Sequence, residues 1–270
     1  MTATAHLLAS GPGWRVSDIV CTAGPGDRAF EEEHPHHCIA IVRSGSFRYR
    51  STQGSAVLAP GSLLLGNRGT CFECGHEHAV GDRCLAFQFE PAYLEGIIAA
   101  VPGARRSDFG LTHLPPLPAL AGLVAEAEVV ADDPDDRLEE TAMRLAGAVA
   151  SVLSGTKSET DTPNTRDQRR ITNALRHIEA HCEEALSLDA LAGQAAMSPY
   201  HFLRTFRALV GVTPHQYVLR TRLHRAALLL RRTELPVAGI AFDCGFGDLS
   251  TFNQRFRRVM GANPSAYRSG

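Results

Sequence analysis

The stretch CFECGHEHAVGDRC, residues 71–84, carries five metal-ligand side chains: Cys71, Cys74, His76, His78 and Cys84. Cys-x-x-Cys followed by histidines and a further cysteine offers sulfur and imidazole nitrogen at spacings suited to a tetrahedral zinc or another thiophilic metal. Side chains alternate along an extended strand, so Cys74, His76 and His78 would share one face. His34, His36, His37 and Cys38 form a second group upstream. Free cysteine is also a common small core residue, so redox sensing and a purely structural role stand beside metal binding. Turnover chemistry is not expected. The chain lacks a Gly-x-Ser-x-Gly elbow, a P-loop and a Rossmann fingerprint. An iron triad of two histidines and one carboxylate finds His34 and His36 but no suitably spaced following glutamate.

The elements that must position these residues read as short strands. From about Trp14 to Phe89, apolar segments such as CIAIVRSGSFRYR, AVLAPGSLLLG and RCLAFQFE are separated by Gly and Pro, which predicts a small antiparallel β-barrel or sandwich. Phe30, Phe47, Tyr49, Phe72 and Phe87 could line its interior, which keeps a small organic effector open as the alternative signal. Between Leu117 and Leu153 the period becomes helical. Leu138, Met143, Leu145, Ala146, Val149 and Leu153 give a stripe that either caps the barrel or faces a second copy in a homodimer. Ser154 to Asp167 has no large apolar side chain and reads as a linker. Seven cysteines without a secretory signal argue for reduced thiols, and no apolar run is long enough to span a membrane; a cytoplasmic location is expected.

A second chemistry lies beyond the linker. The net charge of −2 conceals a division: from Arg166 onward there are 15 Lys plus Arg against 8 Asp plus Glu, while the remainder carries 12 against 21. A basic C-terminal part suits a polyanion. It also holds an internal repeat, because Phe202, Phe206, Gly211, Pro214 and Tyr217 recur as Phe252, Phe256, Gly261, Pro264 and Tyr267. In the first copy Ser187 caps LDALAGQAA, and Ser198 with Pro199 starts a second helix that Gly211 ends. Phe202, Phe206 and Leu209 are expected on its buried face. In the second copy Asp248 caps a helix that buries Phe252, Phe256 and Val259. Two short helices joined by a tight turn form a helix-turn-helix, and a helix capped by Thr213 would space the two units about one DNA turn, roughly 34 Å, apart.

The outward faces of the second helices hold Tyr200, His201, Leu203, Arg204 and Arg207 in one copy, and Leu249, Ser250, Thr251, Asn253, Gln254, Arg257 and Arg258 in the other. An ordinary solvated helix favours Glu and Lys; these faces have neither. They are rich instead in partners for base edges: Arg for guanine, Asn and Gln for adenine, and an apolar group for the thymine methyl.

With MSPYHFLRTFRALVGVTPHQYV, RLHRAALLL and AFDCGFGDLSTFNQRFRRVMGANPSAYR in order, residues 171–268 resemble the DNA-binding domain of the AraC/XylS family of bacterial regulators. The N-terminal part is similar to the cupin-like sensor domain of that family, carried by APGSLLL and the strand rhythm. The resemblance implies an α+β chain: a cupin-like sensor with a helical hairpin over residues 1–153, a linker over 154–167, and an all-α DNA-binding domain over 168–270. It implies that Tyr200, Leu203, Arg204, Ser250, Thr251 and Gln254 face bases, with phosphates assigned to Ser198, Arg207, Arg255, Arg257 and Arg258. It implies double-stranded DNA and RNA polymerase as partners, a dimer, and most often an activator.

Overall fold

The computed structural model describes residues 3–25, 27, 29, 31–76, 81–132, 137–155 and 164–269. The chain divides into two compact units, Met1–Glu159 and Thr160–Gly270. His78 and Phe30, like residues 156–163 of the linker, lie outside the described residues.

The first unit runs β1 (Ala3–Gly11), β2 (Trp14–Cys21), β3 (Glu31–Glu33), β4 (His37–Gly45), β5 (Phe47–Ser51), β6 (Gly54–Leu58), β7 (Leu63–Gly66), β8 (Cys71–Gly75), β9 (Asp82–Phe89), α1 (Pro91–Ile98), β10 (His113–Leu114), α2 (Pro118–Asp132) and α3 (Arg137–Leu153). The strands form a six-stranded sheet, β1-β2-β9-β4-β7-β10, and a four-stranded sheet, β3-β8-β5-β6, with antiparallel pairing throughout.

The pleat sorts the side chains of the larger sheet into two chemically distinct faces. Val16, Phe87, Ile39 and Leu65 are successive cross-strand partners, all fully or almost fully buried. The opposite face presents the smaller Cys38, Ala40, Cys84 and Ala86, which pack with Phe47, Tyr49 and Leu58 of the other sheet. Small side chains between two sheets leave room, and that room is the cavity described below. Phe87 therefore does not belong to a pocket lining: at odd parity beside Leu85 and Phe89 it points to the other side of the sheet.

The helical stripe resolves in favour of packing within the domain. Leu138, Met143, Leu145, Ala146 and Val149 are buried, and α3 lies against α1, α2, β1 and β2. Leu153, in the last turn, is half-buried.

The second unit is all helical: α4 (Thr165–Ala180), α5 (Leu188–Gln194), α6 (Pro199–Val210), α7 (Pro214–Arg232), α8 (Val237–Asp243), α9 (Leu249–Met260) and α10 (Pro264–Ser269). The C-terminal half of α7 supplies Leu223, Ala226, Ala227 and Leu230 to a core completed by Ile240, Ala241, Cys244, Phe246, Phe252 and Phe256. The N-terminal part of α7 serves the first repeat, where Tyr217 meets Phe206 edge-on at 5.8 Å. One 19-residue helix thus belongs to both cores. Among the described residues no helix is long and apolar enough to cross a membrane.

Candidate functional site

The two repeats have the same backbone chemistry. At the end of α5, Met197 N–H bonds to the Ala192 carbonyl and Ala196 N–H to that of Gly193; at the end of α8, Phe246 bonds to Ala241 and Gly245 to Phe242. Each is a helix C-terminus closed by a left-handed residue, Ala196 at φ 50° and Gly245 at φ 83°. The following helix is then capped: Ser198 accepts from His201 N–H at 3.4 Å, and Asp248 from Thr251 N–H at 2.7 Å. Backbone hydrogen bonding holds the Asp248 carboxyl below its ordinary range. Both second helices end at left-handed glycines, Gly211 and Gly261. Behind them Phe202 packs on Phe206, which meets Tyr217 edge-on, and Phe252 packs on Phe256, which meets Tyr267 in the same way.

The two outward faces differ, however. α9 buries only Phe252 and Phe256, leaving Ser250, Asn253, Gln254, Arg257 and Arg258 exposed and Thr251 and Arg255 half-buried. α6 also buries Leu203 and Thr205, because α4 packs against it as well as α5 and α7. Tyr200 and Arg204 are half-buried and Arg207 is exposed. His201 faces Asp167 of α4 at 3.4 Å. Leu203 is only 1% exposed, so its expected role as a base reader does not hold; it is a core side chain. Its counterpart in the repeat, Asn253, is exposed. Leu209 at 38% and Val259 at 51% exposure are likewise not on the buried faces expected of them, since both sit in the last turn, beyond the reach of the phenylalanine core.

In the first unit a cavity of about 460 Å³ lies between the sheets, lined by residues that include Ile19, Phe47, Leu64 and Phe72 as well as Cys21, Cys38, Cys74 and Cys84. His34 enters it from the loop before β4, stacked on Phe72 at 4.1 Å and hydrogen-bonded to Tyr49 Oη at 2.9 Å. Burial lowers its pKa to about 4. His36 instead pairs with Glu90 at 3.1 Å and His37 meets Phe109 edge-on, so the upstream histidines do not act as one group.

The downstream cluster is partly assembled. Cys74, His76 and Cys84 line the cavity, but Cys71 does not. On β8 it has the opposite parity from Cys74 and sits by β3, where hydrogen bonding to Glu31 raises its pKa. Two residues that motif spacing missed take its place: Cys21 at the end of β2 and its cross-strand partner Asp82 at the start of β9. Among the described residues, Cys21, His76 and Asp82 form a group whose ligand atoms lie within 4.8 Å of one another. His76 Nε2 is 2.6 Å from Asp82 Oδ1, and the Cys84 thiol donates to Asp82 Oδ2 at 3.3 Å. Burial pushes the Cys38 thiol up to about 12 and also raises Cys21, Cys74 and Cys84, and the Asp82 charge raises these three further. These thiols are protonated near neutrality.

Residues 191–270 match the family model described as a helix-turn-helix domain, and residues 20–147 match the one described as an AraC-like ligand binding domain. The chain belongs to the AraC family. The HTH-type transcriptional activator RhaS of Klebsiella pneumoniae is 26% identical over 257 residues, 89% of this chain and 87% of that protein. LumQ of Photobacterium leiognathi is 38% identical over 91 residues, 34% of this chain and 37% of that one. An AraC-type regulator structure from Chromobacterium violaceum aligns with TM-score 0.37 and 32% identity over 39% of this chain and 95% of its own. This AraC-family protein is accordingly a DNA-binding transcriptional regulator and not an enzyme, and its N-terminal domain is of the family's ligand-binding type.

Proposed function

We propose that this AraC-family chain is a sequence-specific transcription activator that enters two successive major grooves with α6 and α9, and that the N-terminal cavity receives its signal at the cysteine and histidine wall. The observation that carries the DNA reading is the outward face of α9: Ser250, Asn253, Gln254, Arg257 and Arg258 are exposed, with no acidic side chain among them. Ser250, Thr251 and Gln254, with Tyr200 and Arg204 of α6, are the base readers. Ser198, Arg207, Arg255, Arg257 and Arg258 hold phosphates, and Ser198 does so from a helix N-terminus.

Activation, binding to RNA polymerase and a homodimeric state follow from the family resemblance, and the name of RhaS as an activator supports the first. The thiol and imidazole lining favours a thiophilic metal, zinc being the type case, over a thiol-reactive compound, because buried protonated thiols are poor nucleophiles. A second reading has its own support: about 460 Å³ lined partly by Ile19, Phe47, Leu64 and Phe72 suits a small organic effector.

Selection of bound fragments from a random DNA pool, followed by footprinting with the full chain, tests the DNA reading. Two protected major-groove segments about one turn apart are expected. Gln254→Ala should lower affinity for the selected site by about 5- to 100-fold and leave random DNA unaffected. Equal affinity of the wild type for selected and random DNA would overturn it.

A further inference from the structure

Four of the seven cysteines, scattered between positions 21 and 84, converge on one cavity. We propose that Cys21, His76 and Asp82, completed by Cys84, form a binding site for a thiophilic divalent cation of the zinc class. This rests on the reading of the cavity as the site of signal input, and it replaces the sequence-adjacent set of ligands by one assembled in space.

The geometry carries the assignment. Asp82 is the hub: Oδ1 meets His76 Nε2, Oδ2 accepts from the Cys84 thiol, and the Cys21 thiol bonds to the same carboxylate. The His76 and Asp82 side chains are 2% and 7% exposed. A simple His–Asp pair needs no sulfur, yet two thiols converge on this one. Two sulfurs, one imidazole and one carboxylate are a donor set that zinc accepts, with bonds of about 2.0 to 2.3 Å. Tetrahedral angles then place ligand atoms roughly 3.3 to 3.8 Å apart. The ligand atoms of Cys21, His76 and Asp82 already lie within 4.8 Å of one another, and Cys84 Sγ lies 3.3 Å from Asp82 Oδ2, so side-chain rotations that open the 2.6 Å His76–Asp82 contact and draw in the thiols would reach that spacing. On binding, the Cys21 and Cys84 protons pass to solvent, and the cation replaces the hydrogen bonds that now satisfy Asp82. The register helps, because Cys21 lies directly across from Asp82 on the neighbouring strand, and Cys84 lies two residues further on the same face of β9. Hard cations that prefer an all-oxygen shell are excluded by the sulfurs.

Cobalt serves as the probe, since its absorption reports both sulfur ligation and tetrahedral geometry. The full chain, purified without an affinity metal and stripped with a chelator, is titrated with Co²⁺ and then with Zn²⁺. One Co²⁺ per chain with a sulfur-to-cobalt charge-transfer band, displaced by Zn²⁺, is expected. Cys21→Ser should remove much of that band and weaken binding by about tenfold or more. Cys71→Ser should change neither, and its thermal unfolding, with that of Cys21→Ser, verifies folding. Absence of the band in the wild type, or its loss in Cys71→Ser but not in Cys21→Ser, overturns the site. DNA binding by the stripped and loaded protein is measured in parallel. Sequence-specific binding without any cobalt site sinks this proposal alone, whereas a cobalt site with no sequence-specific binding in either state sinks the regulator reading alone.

Discussion

Leu203 and Asn253 occupy equivalent positions in the two repeats, yet one is core and the other is surface. The phenylalanine spacing leaves Leu203 on the outward face of α6, but that spacing does not show that α4 packs against the same helix. Leu203→Ala should therefore destabilise the protein by about 2 to 5 kcal/mol, read by urea or thermal unfolding, with no change in base preference. His34 carries a pH prediction. Its folded pKa is lowered to about 4 by burial, from an ordinary 6.5, so the unfolded chain takes up the proton first as pH falls. Stability is complete above about 6.5, declines through the interval from 6.5 to 4, and is lower by an amount on the order of 3 kcal/mol below it. Unfolding free energy measured against pH should show a flatter acid limb in His34→Gln than in the wild type.

At the scale of elements, the repeat explains why two helix-turn-helix units fold alike and where they differ. Both turns need a left-handed residue, but the first places Ala196 there and the second Gly245. Ala196 is exposed and carries its Cβ at the strained positive φ; a Cβ on Gly245 would sit 2.5 Å from the Glu183 carbonyl oxygen. Ala196→Gly should raise stability by about 0.5 to 1 kcal/mol, since relief of strain outweighs the added freedom of the unfolded chain. Gly245→Ala should lower it by about 2 kcal/mol or more. Chemical denaturation of both variants provides the check. The same close approach shows how the two helix-turn-helix units are joined: the segment after α4 receives Arg222 Nε on the Cys182 carbonyl at 2.6 Å, Arg222 Nη2 on that of Glu184 at 2.7 Å, and Arg225 on the Glu183 carboxylate at 2.5 Å. That segment thus abuts both the connecting helix and the turn of the second repeat, which favours a fixed spacing between α6 and α9.

On the scale of the whole molecule, charge and chemistry are segregated. The part from Arg166 onward carries an excess of seven positive charges, and the part before it an excess of nine negative ones. DNA affinity should consequently fall steeply with salt. Replacing both Arg257 and Arg258 by Ala should weaken binding to all sequences alike and reduce the salt slope by about 2, roughly one for each phosphate no longer neutralised. A slope unchanged in the double variant would remove these arginines from the phosphate set. Binding curves at several salt concentrations decide this.

Local chemistry determined much of what this protein is. The caps at Ser187, Ser198, Thr213 and Asp248, the terminal glycines Gly211 and Gly261, and the phenylalanine spacing act within a few residues, so the helices of both repeats were legible from the chain alone. So was the strand rhythm, because alternation is a property of one strand. Tertiary structure decided which residues meet. Cys71 and Cys74 are three apart, and on a pleated strand an odd separation sends them to opposite faces, however well Cys-x-x-Cys suits zinc. Cys21 and Asp82 are sixty-one positions apart and become neighbours only when β2 pairs with β9. Strand register is a long-range choice set by the packing of both sheets, and no spacing along the chain encodes it.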